Sequence, residues 1–324
     1  MVAVLIIGGA GMIGRKLADR LAEDPRLGSQ RIDRLILQDI TAPAAPAGAG
    51  FTTQVITGDF ADARFAQTLI ASRPEVIFHL AAIVSGEAEA DFDKGYRINL
   101  DGTRLLLEAI RQAGDGYCPR LVFTSSIAVF GAPFPEAIGD EFHLTPLTSY
   151  GTQKAICELL LADYTRRGFV DGVGIRLPTV CVRPGKPNKA ASGFFSGIIR
   201  EPLNGQEAIL PVPTSVRHWH ASPRAAIRFL LHAAQLDTAA LGARRNLTMP
   251  GLSVTVAEQI AALRRVAGDA AVALIREVPD PAIAAIVNGW ARNFDASRSL
   301  ALGFKPDASF EEIIRIYQED ELRH

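Results

Sequence analysis

Val2-Ala3-Val4-Leu5-Ile6-Ile7-Gly8-Gly9-Ala10-Gly11-Met12-Ile13-Gly14 lies at the start of the chain, and its reading decides the fold. Val2 to Ile7 is an unbroken apolar run rich in β-branched residues, the pattern of a strand buried on both faces of a parallel sheet. It runs into three glycines at GxxGxxG spacing (Gly8, Gly11, Gly14) and then into an amphipathic helix with Leu17, Ala18 and Leu21 inward. Strand, glycine turn and helix N-terminus in that order form a phosphate cradle. Glycine lets the backbone approach, and the free N–H groups at the helix start, around Met12 and Ile13, point at the anion.

The same rhythm continues outward from that stretch. Arg34 to Asp39 reads as a second strand ending in an acid. A carboxylate there accepts both ribose hydroxyls of adenosine and repels a 2′-phosphate, which favours NAD over NADP. Arg15 and Lys16 point the other way and are read as solvent-facing. Thr41 to Gly50 is a flexible connection. Phe51 to Ile56 resumes as a strand before Gly58-Asp59-Phe60, where Asp59 either meets the adenine edge or caps a helix over 61–72. Glu75 to His79 is a fourth strand, opening onto Leu80-Ala81-Ala82, small enough for a flat ring or ribose to approach. A long helix over 88–113 carries Asn99, which either hydrogen-bonds neighbouring backbone or serves as a relay. Arg120 to Thr124 is the fifth strand, ending in Ser125-Ser126, and Gly172 to Arg176 is the sixth.

This alternation predicts an α/β fold: a Rossmann-type doubly wound parallel sheet over residues 1–178, to which later segments return, with 179–324 as a smaller, mainly substrate-binding portion. In the latter, helices are expected near 192–200, 222–236, 254–267 and 308–319.

Between the fifth and sixth strands stands Ser149-Tyr150-Gly151-Thr152-Gln153-Lys154. On a helix, positions i and i+4 are neighbours, so the Tyr150 phenol and Lys154 ammonium share one face. A nearby cation stabilises the phenolate and makes the tyrosine a better base. The same YxxxK spacing also arises by chance on surface helices, so its meaning depends on the company it keeps.

Composition narrows the class. Of 324 residues 48% are hydrophobic and 21% charged, with a net charge of −1, ordinary for a globular protein and without the basic excess of a nucleic-acid binder. No apolar run is long enough to span a membrane, and the N-terminal run lacks the basic leading region of a secretion signal. Cys118, Cys157 and Cys181 are scattered and the histidines lack metal-ligand spacing, so the expectation is a cytoplasmic protein without a metal. His218 and His220 share a face only if their segment is a strand.

Gly8-x-x-Gly11-x-x-Gly14, Asp39, Gly58-Asp59, His79-Leu80-Ala81-Ala82, Asn99, Thr124-Ser125-Ser126 and Tyr150-x-x-x-Lys154 together resemble the extended branch of the short-chain dehydrogenase/reductase superfamily, which includes nucleotide-sugar epimerases and dehydratases. The resemblance implies NAD as cofactor, with the glycine turn at the pyrophosphate, Asp39 at the adenosine ribose, and Asp59 with Phe60 at the adenine. Leu80, Ala81, Ala82, Asn99 and Pro178 complete the implied cofactor set. It also implies Tyr150 as general base, Lys154 on the nicotinamide ribose, and Ser126 on the substrate hydroxyl.

Departures from the family pattern bear on the substrate. Where epimerases commonly read Arg-Tyr-Phe-Asn-Val-Tyr-Gly-Pro, this chain reads Arg176-Leu177-Pro178-Thr179-Val180-Cys181-Val182-Arg183-Pro184, so Thr179 replaces an asparagine that helps hold a nucleotide-sugar phosphate. Arg183, Lys186 and Lys189 gather without an acid, which fits either an anionic substrate or a solvated loop. This loop and Arg217-His218-Trp219-His220-Ala221-Ser222-Pro223-Arg224 resemble the D-erythronate dehydrogenase-like group, whose members oxidise the 2-hydroxyl of a short sugar acid.

The expected function is therefore NAD-dependent oxidation of a small aldonate. Ser85, Ser126, Tyr150 and Thr179 would line the substrate site, and Arg183, Lys189 or Arg217 would clamp the carboxylate. The alternatives are a nucleotide-sugar epimerase or dehydratase with tightly held NAD, and a non-catalytic NAD sensor. The helix over 88–113 and the Tyr150 helix would pair with their copies in a homodimer, as in related enzymes.

Overall fold

The computed structural model describes residues 1–185 and 191–322. The first half alternates as expected: β1 (Val2–Ile7), α1 (Met12–Glu23), β2 (Arg26–Leu27), β3 (Gln30–Asp39), β4 (Thr52–Thr57), α2 (Ala63–Ile70) and β5 (Val76–His79). There follow α3 (Ser85–Ala90), α4 (Phe92–Gly95), α5 (Gly102–Gln112), β6 (Arg120–Ser126), α6 (Ser149–Arg166) and β7 (Asp171–Leu177). Beyond them come β8 (Thr179–Val180), α7 (Gly193–Leu203), β9 (Ala208–Leu210), β10 (Arg217–Ala221), α8 (Pro223–Gln235), β11 (Asn246–Thr248) and β12 (Leu252–Thr255). The chain ends through α9 (Val256–Val272), β13 (Ile275–Glu277), α10 (Pro281–Asn288), α11 (Ser297–Ala301) and α12 (Phe310–Glu321).

The main sheet has the order β4-β3-β1-β5-β6-β7-β11, all parallel, with the short β2 antiparallel on β3. Both faces of β1 are buried, which is why its sequence is continuous rather than alternating. Val2, Val4 and Ile6 pack with Leu17, Leu21 and Phe229, whereas Leu5 and Ile7 pack with Leu106, Ile110 and Phe123 on the other side. From β1 the chain proceeds to β3 on one side and returns to β5 on the other. That switch point opens a crevice over the carboxyl ends of the strands, where ligands bind in such sheets.

The later elements divide between two jobs. β11 extends the main sheet beside β7, and α8 packs on β6, β7 and α1. The remainder forms a second layer around the small sheet β12-β10-β8 and the pair β13-β9, with Phe195, Ile198, Leu210, Val256, Leu263, Phe310 and Ile313 at its core.

Two local expectations are corrected. The helix over 88–113 is not continuous: Asp91 leaves helical geometry (φ −131°, ψ 87°), and its side chain accepts a bond from the Lys94 N–H to restart the chain as α4. A π-helical turn, Tyr96–Asp101, then joins α4 to α5 and carries Asn99. The cap of α2 is Asp62, which accepts from the Phe65 N–H, and not Asp59.

Candidate active site

Tyr150 lies in the first turn of α6. The Thr148 hydroxyl caps that turn by accepting from the Gly151 N–H at 3.1 Å. A Cβ at Gly151 would stand 2.1 Å from the Ala128 carbonyl oxygen, so only glycine lets the helix start press against the turn Ile127–Val129 that follows β6. This contact brings Tyr150 beside Ser126, whose hydroxyl accepts from the Ala128 N–H. The middle of α6 is locked by a buried ion pair. Arg176 on β7 grips Glu158 through Nε at 2.9 Å and Nη2 at 2.7 Å, and the Ser125 hydroxyl donates to the same carboxylate.

A cavity of about 730 Å³ runs over the carboxyl ends of β1, β5, β6 and β7. Met12 and Ile13 line one end, Leu80 and Ala82 the middle, and Ser126, Tyr150 and Lys154 the floor; Ser85, Pro178, Thr179 and Arg183 complete the opposite wall. The structure thus brings together most of the residues singled out from sequence.

Lys154 lies beneath the tyrosine ring, its Nζ donating to the Thr124 carbonyl at 2.8 Å and standing 5.8 Å from the Tyr150 ring centre. Burial pulls its pKa down to about 8, against the opposing pull of Cys157 and Glu158. Burial pushes the Tyr150 phenol above its usual value, while the Ser126 hydroxyl and the Arg183 charge draw it back. Arg183 thus acts on the phenol as well, a contribution that the YxxxK spacing does not reveal.

Arg183 is partly buried in the cavity wall. Its Nε donates to the Val180 carbonyl at 3.0 Å and its Nη2 to the Ser192 hydroxyl at 3.1 Å. Burial lowers its pKa, and the groups favouring its charge are Cys181 and Tyr150; no carboxylate among the described residues pairs with it. A desolvated cation without a counter-ion in a cavity is a site for an anion.

The glycine turn fits a dinucleotide. Gly8 has φ +95°, and a Cβ there would stand 2.7 Å from the Ala81 nitrogen; at Gly14 it would stand 2.2 Å from the Gly8 carbonyl oxygen. Gly11 begins α1 with no side-chain cap, leaving the first amides of the helix for a phosphate. Asp39 ends β3 beside this turn, one carboxylate oxygen accepting from the Ala10 N–H at 2.9 Å. Arg15 is exposed, and Lys16 pairs with Glu321, so neither opposes the preference for a free ribose.

Other expected residues sit elsewhere. Asp59 pairs with Arg97 at 2.6 Å, and the Phe60 ring turns into the core against His79 and beneath Gly102. Ala81 packs against the core of the sheet. Asn99 uses its amide on the Ile83 carbonyl and Gln153, and its oxygen accepts from the Ile83 N–H. It braces the segment after β5 and does not line the cavity. Arg217 also lies outside: it donates to the Ser253 carbonyl and faces Glu258 at 3.3 Å, in a second cavity with Arg292. The cause is strand alternation in β10, which sends His218 toward the first cavity and Arg217 away from it. Lys186 and Lys189 lie outside the described residues.

Sequence reading missed four contributors to the wall. His218 and Trp290 line the cavity, as do Ala285 and Ile286 of α10. The start of α10 is legible, since Asp280 caps it ahead of Pro281; nothing in its sequence says what it covers.

Comparison with known proteins settles the family. Residues 4–237 match the model of the NAD dependent epimerase/dehydratase family. The chain belongs to that family. It is an NAD-dependent enzyme, and the turn from Gly8 to Gly14 with Asp39 is the part of this family member that fits the cofactor. Over 98% of both chains it is 50% identical to D-erythronate dehydrogenase of Cupriavidus necator and, over the same share of both, 42% identical to D-erythronate dehydrogenase of Haemophilus influenzae. A solved structure described as a nucleoside-diphosphate-sugar epimerase from Agrobacterium tumefaciens superposes with a TM-score of 0.97 at 63% identity, covering 99% of this chain and 94% of that one.

Proposed function

We propose that this family member is an NAD-dependent dehydrogenase that oxidises the 2-hydroxyl of a small sugar acid, an aldonate of the D-erythronate type, to the 2-oxo acid. The observation that carries the reading is Arg183: a cation without a carboxylate partner among the described residues, in the wall of the cavity whose floor holds Tyr150. The two D-erythronate dehydrogenases similar to it along nearly their whole length support the same choice.

In this reading Arg183 clamps the substrate carboxylate, since a planar guanidinium matches a carboxylate fork. That leaves the adjoining 2-hydroxyl between Ser126 and Tyr150. Ser126 orients it, and Tyr150 takes its proton as general base. NAD, when bound, supplies the acceptor for the hydride leaving the same carbon. Lys154, anchored by the Thr124 carbonyl, holds its charge under the tyrosine ring, and would bind the ribose of the cofactor. Ser85, at the start of α3, supplies a further hydroxyl to the wall.

The epimerase name of the solved structure favours a second reading, turnover of a nucleotide sugar with NAD retained. The two separate in one assay. A panel of four- to six-carbon aldonates with NAD should yield NADH in proportion to acid consumed, and UDP-sugars should yield none. Turnover of UDP-sugars without net NADH, together with inert aldonates, would replace the dehydrogenase reading by the epimerase one. An NAD sensor would release nothing with either set, and it has no use for the Ser126, Tyr150 and Lys154 constellation.

A cytoplasmic location fits the three free cysteines. A homodimer fits the exposure of Phe92 on α4 and Leu159 on α6, the helical region through which a second copy would pack.

A further inference from the structure

His218 stands next to the cavity but takes no part in the chemistry above. Its Nδ1 lies 3.1 Å from the Ala291 carbonyl oxygen and its Nε2 lies 2.7 Å from the Thr179 hydroxyl. A carbonyl can only accept, so Nδ1 carries the hydrogen. A neutral imidazole has one N–H, and its Nε2 is then a bare lone pair. The short contact to Thr179 must be donated by the threonine.

The ring is held in that state. Phe195 stacks on it with centroids 5.1 Å apart and planes within 2°, and Trp290 lies at 5.2 Å. Burial, with the Arg183 charge adding to it against the Ala291 carbonyl, keeps its pKa down at about 4, so no second hydrogen arrives at neutral pH.

A threonine hydroxyl has one hydrogen and two lone pairs. With the hydrogen committed to His218, Thr179 offers the cavity acceptor capacity alone. It cannot bond a carboxylate oxygen or a phosphate oxygen; it can bond a hydroxyl. Ser126 and Tyr150 are already assigned to the reacting hydroxyl and Arg183 to the carboxylate. We propose that Thr179, fixed as an acceptor by His218, reads a second hydroxyl of the substrate beyond the carbon that is oxidised, so that the site selects polyhydroxy acids over simple 2-hydroxy acids. Thr179 is the specificity-determining residue and His218 positions it. This rests on the dehydrogenase reading of the same cavity. The competing explanation is a polar pair that merely satisfies its own buried groups, but Thr179 is only partly buried and borders the cavity.

The test is the ratio of kcat/KM for D-erythronate to that for 2-hydroxybutanoate, an acid of equal length without the outer hydroxyls. Thr179→Val keeps the shape and removes the lone pairs, and should lower this ratio at least about tenfold. Thr179→Ser, which keeps the hydroxyl, should stay within about threefold of the unsubstituted ratio. His218→Phe preserves the stack on Phe195 and frees the threonine hydrogen. It should lower the ratio chiefly through KM for erythronate, with the dissociation constant of NAD, read by fluorescence titration, unmoved. If Thr179→Val fails to fold, Thr179→Ala, which also removes the lone pairs, takes its place beside His218→Phe. An unchanged ratio in the folded variants would overturn the Thr179 assignment and leave the dehydrogenase reading standing. No NADH from either acid with the unsubstituted protein would overturn both.

Discussion

The two ends of the active cavity are built by different means. At the cofactor end the material is backbone: Gly8 and Gly14 allow approaches no side chain would permit, and Gly11 leaves the helix start uncapped. At the substrate end the material is side chains from scattered elements. Arg183 comes from the chain after β8, Ser192 from the segment before α7, His218 from β10 and Trp290 from beyond α10. Backbone geometry tolerates few sequences, so the first end is written in glycines. Side-chain geometry tolerates many, so the second end can change its substrate while the first stays as it is. Tyr150 stands where the two meet.

Breaking the junction should have the largest effect. Tyr150→Phe preserves the ring over Lys154 but removes the proposed proton acceptor, and kcat should fall by about 10²–10⁴-fold with the circular dichroism spectrum unchanged. Activity within a few-fold of the unsubstituted enzyme would remove Tyr150 as base.

The cofactor end can be broken alone. Gly14→Ala places a Cβ 2.2 Å from the Gly8 carbonyl oxygen and 2.8 Å from the Gly9 Cα. The turn must shift, and NAD affinity should weaken by about 10- to 100-fold in a direct titration, for an overpacking strain of about 1–3 kcal/mol. The substrate end responds to Arg183→Gln, which should raise KM for the acid about tenfold or more, with KM for NAD little changed. The same substitution has a signed pH effect. Arg183 draws the Tyr150 pKa down, and with the phenolate as the proposed base, removing the charge should move the acidic limb of the kcat/KM profile to higher pH. A limb that stays in place would mean that Arg183 does not act on the phenol. The smallest effect is reserved for Arg217→Ala: its side chain faces Ser253 and Glu258 in a separate cavity, so KM for the acid should change by less than about twofold.

This asymmetry also explains what could be read from the sequence. The β1 run, the three glycines and Asp39 announce their roles because parallel-strand burial and phosphate approach each leave a one-dimensional pattern. Tyr150 and Lys154 are legible through helical spacing. Gly151, which seats that helix against Ala128, reads as an ordinary glycine because its constraint comes from a chain segment more than twenty residues away. Arg217 misleads because its neighbours in sequence belong to the site, while the two-residue period of β10 turns it away. The break at Asp91 is hidden because the Glu87-Ala88-Glu89-Ala90 run before it reads as helix, and the aspartate cap that restarts the helix resembles any surface acid. His218 carries only the hint of its spacing to His220. Its partner Thr179 lies 39 residues earlier in sequence and is brought to it by the parallel pairing of β8 with β10.

The central claim is that a hydride leaves C2 of a free sugar acid and departs with the cofactor. It is tested most directly with D-erythronate carrying deuterium at C2, incubated with the enzyme and excess NAD. The account predicts deuterated NADH in solution and a 2-oxo acid formed mole for mole. Deuterium retained in the acid or found in solvent, with no NADH released, would contradict it.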